Sequence, residues 1–190
     1  MKEPMDIGLP DKLSLEKFPT YIRITRKWFG IQTIFITVFA VFWNGFLYNY
    51  FGAIGEEADS FARLFPLIHV AAGIFITYYA IASWFNTSTV FASKQTIEIS
   101  HKPIPWFGNK SISSMDLKQL YVKERVTKRN NGNSITYEVH AILNSGTNAR
   151  LLAGLETSEQ ALYIEQEIEK YLGIKNARVK GEIDEKTIRL

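Results

Sequence analysis

Apolar residues fill two long uninterrupted stretches in the first half of the chain and alternate with polar ones through much of the second half. From Trp28 to Gly55 there is no Asp, Glu, Lys or Arg; from Leu64 to Ser93 there is again none, and His69 is the one histidine of the second stretch. A helix needs about 20 apolar residues to cross a hydrocarbon core of about 30 Å, and both stretches are longer than that. In the first, from Trp28 to Phe51, bulky apolar residues point in every direction around a helix and leave no face for water. The pattern predicts a transmembrane hairpin over 28–93, with helices at about 28–52 and 64–86. A cleaved signal peptide is the competing reading, because Ala53-Ile54-Gly55 has small residues at cleavage spacing. The run is longer than the about 7–15 apolar residues of a signal core and begins late, which favours an uncleaved helix.

After Ala92 the period changes from helix to strand. Thr96 to His101 alternates, with Ile97 and Ile99 on one face and Glu98 on the other, and Asp116 to Thr127 reads as a long mixed strand. Ser134 to Leu143 puts Ile135, Tyr137, Val139, Ala141 and Leu143 on one face. The turn residues Asn130-Asn131-Gly132-Asn133 join it to the preceding strand as a hairpin. Asn144 to Thr147 makes the next turn and Arg150 to Ala153 the last strand. Thr157 and Gln160 then form a Thr-x-x-Gln capping box. Ala161, Ile164, Ile168 and Tyr171/Leu172 recur at helical spacing, and Gly173 stops the helix. Several antiparallel strands and one amphipathic helix predict an α+β cytoplasmic domain, a small curled antiparallel sheet closed at one end by that helix. This domain spans 94–173, with a charged tail over 174–190.

Ahead of the hairpin, Pro4, Gly8, Pro10 and Pro19 mark residues 1–20 as an irregular lead-in. Tyr21 to Arg26 alternates as a short strand, and a free strand edge invites pairing, so this N-terminal cytoplasmic segment (1–27) is expected to join the sheet of the later domain.

Charge sets the orientation. Arg23, Arg26 and Lys27 precede the first helix and Lys94 and Lys102 follow the second, whereas the loop between them carries Glu56, Glu57 and Asp59 against Arg63 alone. The positive-inside rule puts both termini in the cytoplasm and makes this a multi-pass protein of the plasma (inner) membrane. The net charge of +3 is too small to imply nucleic acid and suits an anionic membrane surface. The absence of cysteine excludes disulfides, thiolate metal sites and Cys nucleophiles, and three scattered histidines make a metal cluster improbable, so no metal and no cofactor is expected.

Three groups of residues are candidates for chemistry. Asn44 and His69 stand at similar depths in the hairpin; they could form a proton or ligand site, or simply an interhelical hydrogen bond beside close packing at Gly45 and Ala71-Ala72-Gly73. Lys123, Arg125, Lys128 and Arg129 cluster at the strand hairpin, where anionic lipid headgroups or plain solvent could meet them. Trp106 and Phe107, after two prolines, could anchor a partner or be core.

Several stretches together carry a resemblance: Ile24 to Trp28, Phe42-Trp43-Asn44, Asn86-Thr87-Ser88-Thr89, Asp116 to Val122, and Ile168 to Gly173. Over about Tyr21 to Gly173 the chain resembles uncharacterised bacterial membrane proteins in which two transmembrane helices precede a pleckstrin-homology-like (PH-like) domain. The resemblance implies a fold, a PH-like sheet or barrel capped by a C-terminal helix, and a location. It implies no activity. Some relatives add a cysteine-rich metal ribbon at the N-terminus, which does not carry over to a chain without cysteine.

The function expected is that of a membrane-anchored, non-enzymatic interaction module, structural or regulatory, including as a subunit of a larger membrane complex. Its partners would be the lipid bilayer and another membrane protein or a second copy of the chain. An anionic-lipid-binding domain is the alternative. An enzyme is disfavoured, since no Gly-x-Ser-x-Gly, phosphate loop, HExxH or acidic metal motif occurs. The short linker Asn86 to Ser88 limits how far the domain can range from its helices.

Overall fold

The computed structural model describes residues 7–54, 60–129, 132–175, 177, 179 and 181–183. In chain order the elements are β1 (Leu13–Lys17), β2 (Tyr21–Lys27), α1 (Ile31–Ala53), α2 (Ser60–Leu64), α3 (Pro66–Phe85), β3 (Thr87–Ser93), β4 (Thr96–Lys102), β5 (Lys110–Ser113), β6 (Leu117–Arg129), β7 (Gly132–Leu143), β8 (Asn148–Leu155) and α4 (Ser158–Leu172). They divide into two compact units. One comprises residues 28–87 and 102–104; the other is built from the chain up to Lys27, from Ser88–His101 and from Pro105 onward.

In the helical unit α1 and α3 are long and apolar enough to cross a membrane. They run antiparallel, since Thr37 meets Trp84 while Asn44 meets Thr77. Gly73 makes the close approach possible: a Cβ there would lie 3.1 Å from Asn44 Oδ1 and from Trp43 Cδ1. Gly45, also expected at the interface, has nothing near it and faces outward. Pro66 opens α3, where its missing N–H costs no helical bond. The acidic residues Glu56, Glu57 and Asp59 lie outside the described residues.

The other unit holds one hydrophobic core. Alternation along β2, β3 and β4 aims Ile22, Ile24, Val90, Ala92, Ile97 and Ile99 inward, and they meet Leu120, Val122, Val139 and Ala141 of β6 and β7 and Leu162, Ile164 and Ile168 of α4. The strands do not close into one curled sheet or barrel. They form two open sheets, one of order β1-β2-β3-β4-β5 and one of order β6-β7-β8. The division falls after β5, only four residues long. There the chain turns through Ser114, whose N–H donates to Gln95 O at 2.9 Å and whose hydroxyl donates to Ser93 O at 2.8 Å, and a register shift follows between Leu117 and Gln119.

The segment Tyr21–Lys27 is a full member of the first sheet, between β1 and β3. Its neighbour β1 lies in what reads as an irregular lead-in. Leu13 and Leu15 alternate there with Ser14 and Glu16, and β1 pairs antiparallel with β2 from Leu13↔Arg26 to Lys17↔Ile22. Helix α4 begins and ends on its own signals. Thr157 Oγ1 accepts the Gln160 N–H at 3.2 Å, and Gly173, at φ 76°, closes the C-terminus with its N–H on Glu169 O at 2.8 Å. The reciprocal half of the capping box is displaced: Gln160 Oε1 accepts the Glu156 N–H, and its Nε2 donates to Asp11 O.

Glu169 ties α4 to the second sheet. Its buried carboxylate accepts the Leu120 N–H at 2.9 Å, just past the register shift in β6. Replacing Glu169 by Ala strands that amide, and a buried donor left without a partner costs about 1–3 kcal/mol. Glu169→Gln keeps an acceptor and should lose clearly less. Denaturant unfolding of both variants checks the order; equal losses would show that the amide bond is not what Glu169 contributes.

Candidate functional site

The polar groups of the helix pair satisfy one another. Asn44 Nδ2 donates to Ala40 O at 2.7 Å and to Thr77 Oγ1 at 2.9 Å. Trp84 Nε1 donates to Thr37 Oγ1 at 2.9 Å, and Trp43 Nε1 to His69 O at 3.1 Å. The His69 ring stacks on Trp43 and lies against Phe65. Asn44 and His69 therefore do not form a pair: Asn44 meets Thr77, two turns farther along α3, and His69 is held by aromatic rings. Thr37 and Thr77 were not singled out from the sequence. Their signal is the seven-residue spacing of Thr37 with Asn44 and of Thr77 with Trp84, which repeats a polar position on one face of each helix. Three interhelical donors with matched acceptors make this a packing device.

Asn86, the residue after α3, is a junction. It is 2% exposed. Its N–H donates to Ala82 O at 2.8 Å and its carbonyl accepts the Trp28 N–H at 3.2 Å. Its side chain grips Ile104 from both sides: Nδ2 donates to Ile104 O at 2.9 Å, and Oδ1 accepts the Ile104 N–H at 2.7 Å.

On the second sheet, the face turned away from the core carries a chain of polar side chains. Glu138 of β7 is buried and has three partners: His140 Nε2 at 2.9 Å and the guanidinium groups of Arg125 at 3.1 Å and Arg150 at 3.1 Å. His140 Nδ1 lies 3.1 Å from Asn148 Oδ1, and Asn148 Nδ2 donates to the Tyr121 hydroxyl. Arg125 is thus engaged with Glu138. Lys123 and Lys128 are exposed, and the side chain of Arg129 lies outside the described residues, as do Asn130 and Asn131. Beyond Tyr137 β7 has only β6 as a neighbour, so the two project as a ribbon on which Val126 and Ile135 face each other directly, both exposed.

Burial raises the Glu138 pKa, but the bonds from His140, Arg125 and Arg150 outweigh burial and hold it below the ordinary 4.5. His101, on β4, bonds Ser88 Oγ through Nδ1 at 2.8 Å. Burial, helped by the charge of Arg26, lowers its pKa from 6.5. Serine beside histidine is the pairing of nucleophilic catalysis, but Ser88 is buried in β3, where a substrate cannot reach its hydroxyl. Among the described residues no group of three His, Cys, Asp or Glu is placed to hold a metal ion. Trp106 is partly buried and touches Phe107 edge-on, whereas Phe107 is 80% exposed and is no part of the core.

No family model matches this chain, and no curated protein matches it either.

A lowered pKa in the folded state means that the unfolded chain takes up the proton first as pH falls. The Glu138 contribution is therefore complete above 4.5 and lost as pH drops below that value; the His101 penalty sets in as pH drops through 6.5. Thermal unfolding should show stability declining in both ranges. In Glu138→Gln the loss below 4.5 should shrink while the loss near 6.5 remains; an unaltered acid limb would rule out Glu138 as its source.

Proposed function

We propose that this chain is a membrane-anchored, non-enzymatic interaction module. The observation that carries the reading is the exposure of α1 and α3. Phe42 is 74% exposed, Phe35 70% and Ile68 70%, so these are not core helices of a water-soluble unit. So large an apolar surface is stable only in an apolar solvent, and a bilayer supplies it. The position of β2 supports a hairpin whose two ends lie on one side of the membrane: β2 precedes α1, β3 follows α3, and the two strands are hydrogen-bonded neighbours. The Lys and Arg residues before α1 and after α3 favour the cytoplasm for that side. Two antiparallel sheets and a C-terminal helix around one core suit a PH-like domain, a fold that serves many binding roles. Its partner is another membrane protein or a second copy of the chain.

A second reading, binding of anionic lipid headgroups, is favoured by the β6–β7 ribbon, where exposed Lys123 and Lys128 accompany the apolar pair Val126 and Ile135.

Alkaline extraction should leave the chain in the membrane. An external-reporter enzyme fused after Ala58 should be active and one fused after Leu190 silent; activity at Leu190 overturns the orientation. For the lipid reading, the full chain in neutral nanodiscs should bind anionic vesicles in a salt-sensitive way. At about 1 kcal/mol per basic residue near the surface, Lys123→Gln with Lys128→Gln should weaken this about tenfold or more. Vesicle binding that is absent or indifferent to salt leaves protein partnership as the function.

A further inference from the structure

We propose that the loop between β4 and β5, residues 103–109, is an interfacial anchor that seats Phe107, with Trp106 beside it, at the headgroup–acyl boundary of the bilayer. The inference rests on the membrane reading above and deepens it by naming a second point of lipid contact outside the helices. Four observations lead to it. Phe107 is 80% exposed, one of the largest exposures of any apolar residue among the described residues. Its neighbour Trp106 meets it edge-on with ring centroids 5.9 Å apart, so the two rings form one apolar tip. Pro103 and Pro105 restrict the backbone that presents this tip, which lowers the entropy lost when it is immobilised. Lys102 and Lys110 bracket it, both exposed; aromatic rings flanked by cations are the composition of the membrane interface, where ring bodies are buried and charges remain in water.

The depth follows from Asn86. This residue ends α3, and its side chain holds both backbone groups of Ile104. Ile104 is therefore fixed at the level of the helix end. Phe107 is three residues farther along the chain, so its Cα lies within about 11 Å of that of Ile104. The headgroup layer of each leaflet is about 5–8 Å thick, so a tether of that length lets the Phe107 ring lie in the layer beside the end of α3.

The chain has no cysteine, so single labels are unambiguous. Nitroxides at Phe107→Cys, Ile74→Cys and Met115→Cys, in the full chain reconstituted into vesicles of neutral and anionic phospholipid, report collision with oxygen, which concentrates in lipid, and with a water-soluble nickel chelate. Ile74 is an exposed position within α3, and Met115 an exposed one on the turn before β6. The expected result is oxygen-rich, chelate-poor collision at 107, shallower than at 74, with chelate collision several-fold below that at 115. Asn86→Ala in the 107-labelled chain should raise chelate collision, because the grip on Ile104 is gone. Chelate collision at 107 equal to that at 115 overturns the anchor, as does protection from both reagents, which marks a protein contact; with 74 still deep in lipid, the membrane reading stands in either case. A label at 74 open to the chelate overturns the membrane reading and the anchor together.

Discussion

Asn86 holds the end of α3 and the chain segments on either side of the helix pair in one set of hydrogen bonds. An apolar helix that stops must satisfy its last carbonyls and hand the chain on to the next element, and α3 does both at one residue. The backbone of Asn86 closes the helix on Ala82 and receives the N–H of Trp28, so the two ends of the helical hairpin are joined. Its carboxamide presents one donor and one acceptor, as a peptide group does, and Ile104 pairs with it as a strand residue would. Aspartate would lose the donor and leucine both groups, in a position buried from water.

The two units are packed in opposite ways. In the helical unit the large side chains point outward, and the contact between α1 and α3 is made by Gly73, Asn44, Thr77 and Thr37, with indole N–H groups as the long-range donors. In the strand unit the order is reversed. Ile97, Leu120, Val122, Val139 and Ile168 are wholly enclosed, and the buried carboxylate of Glu138 is matched by the guanidinium groups of Arg125 and Arg150 and by a hydrogen bond with His140.

Features that depend on neighbours in sequence were legible. The two apolar helices, the N-cap at Thr157 and the stop at Gly173 all follow from residues within one or two turns. Features that depend on pairing across the chain were legible only in part: Tyr21 to Arg26 was expected in the later sheet and lies there as β2, beside β3. Strand β1 was hidden because Pro10 and Pro19 bracket it; its alternation was visible, but its partner, β2, supplies most of the reason for it to be a strand. The split into two sheets falls at the turn through Ser114, which is held by bonds to Ser93 and Gln95, about twenty residues back in the chain. At the candidate site, sequence pointed to the cations Lys123, Arg125 and Lys128 but not to the anion that engages one of them. Arg125 reaches Glu138 only through the register that sets Arg125 opposite Thr136, and Arg150 joins them from a third strand. Asn44 was recognised and its partner mistaken, because depth along a helix is readable from sequence whereas the rotation that brings Thr77 to face it depends on how the pair packs.

The place of β2 between β1 and β3 has a consequence for how the chain is made. A ribosome delivers β1 and β2 first, and they can pair at once as a hairpin. That hairpin has an open edge where β3 belongs, and β3 emerges only after both long helices have been synthesised. The five-stranded sheet is thus completed in two instalments separated by the whole helical insertion. Until α1 and α3 have both been accommodated, the nascent β2 edge is a target for chaperones or for stray strands. Formation of the β2–β3 ladder then records that the insertion has brought the chain back to where it started.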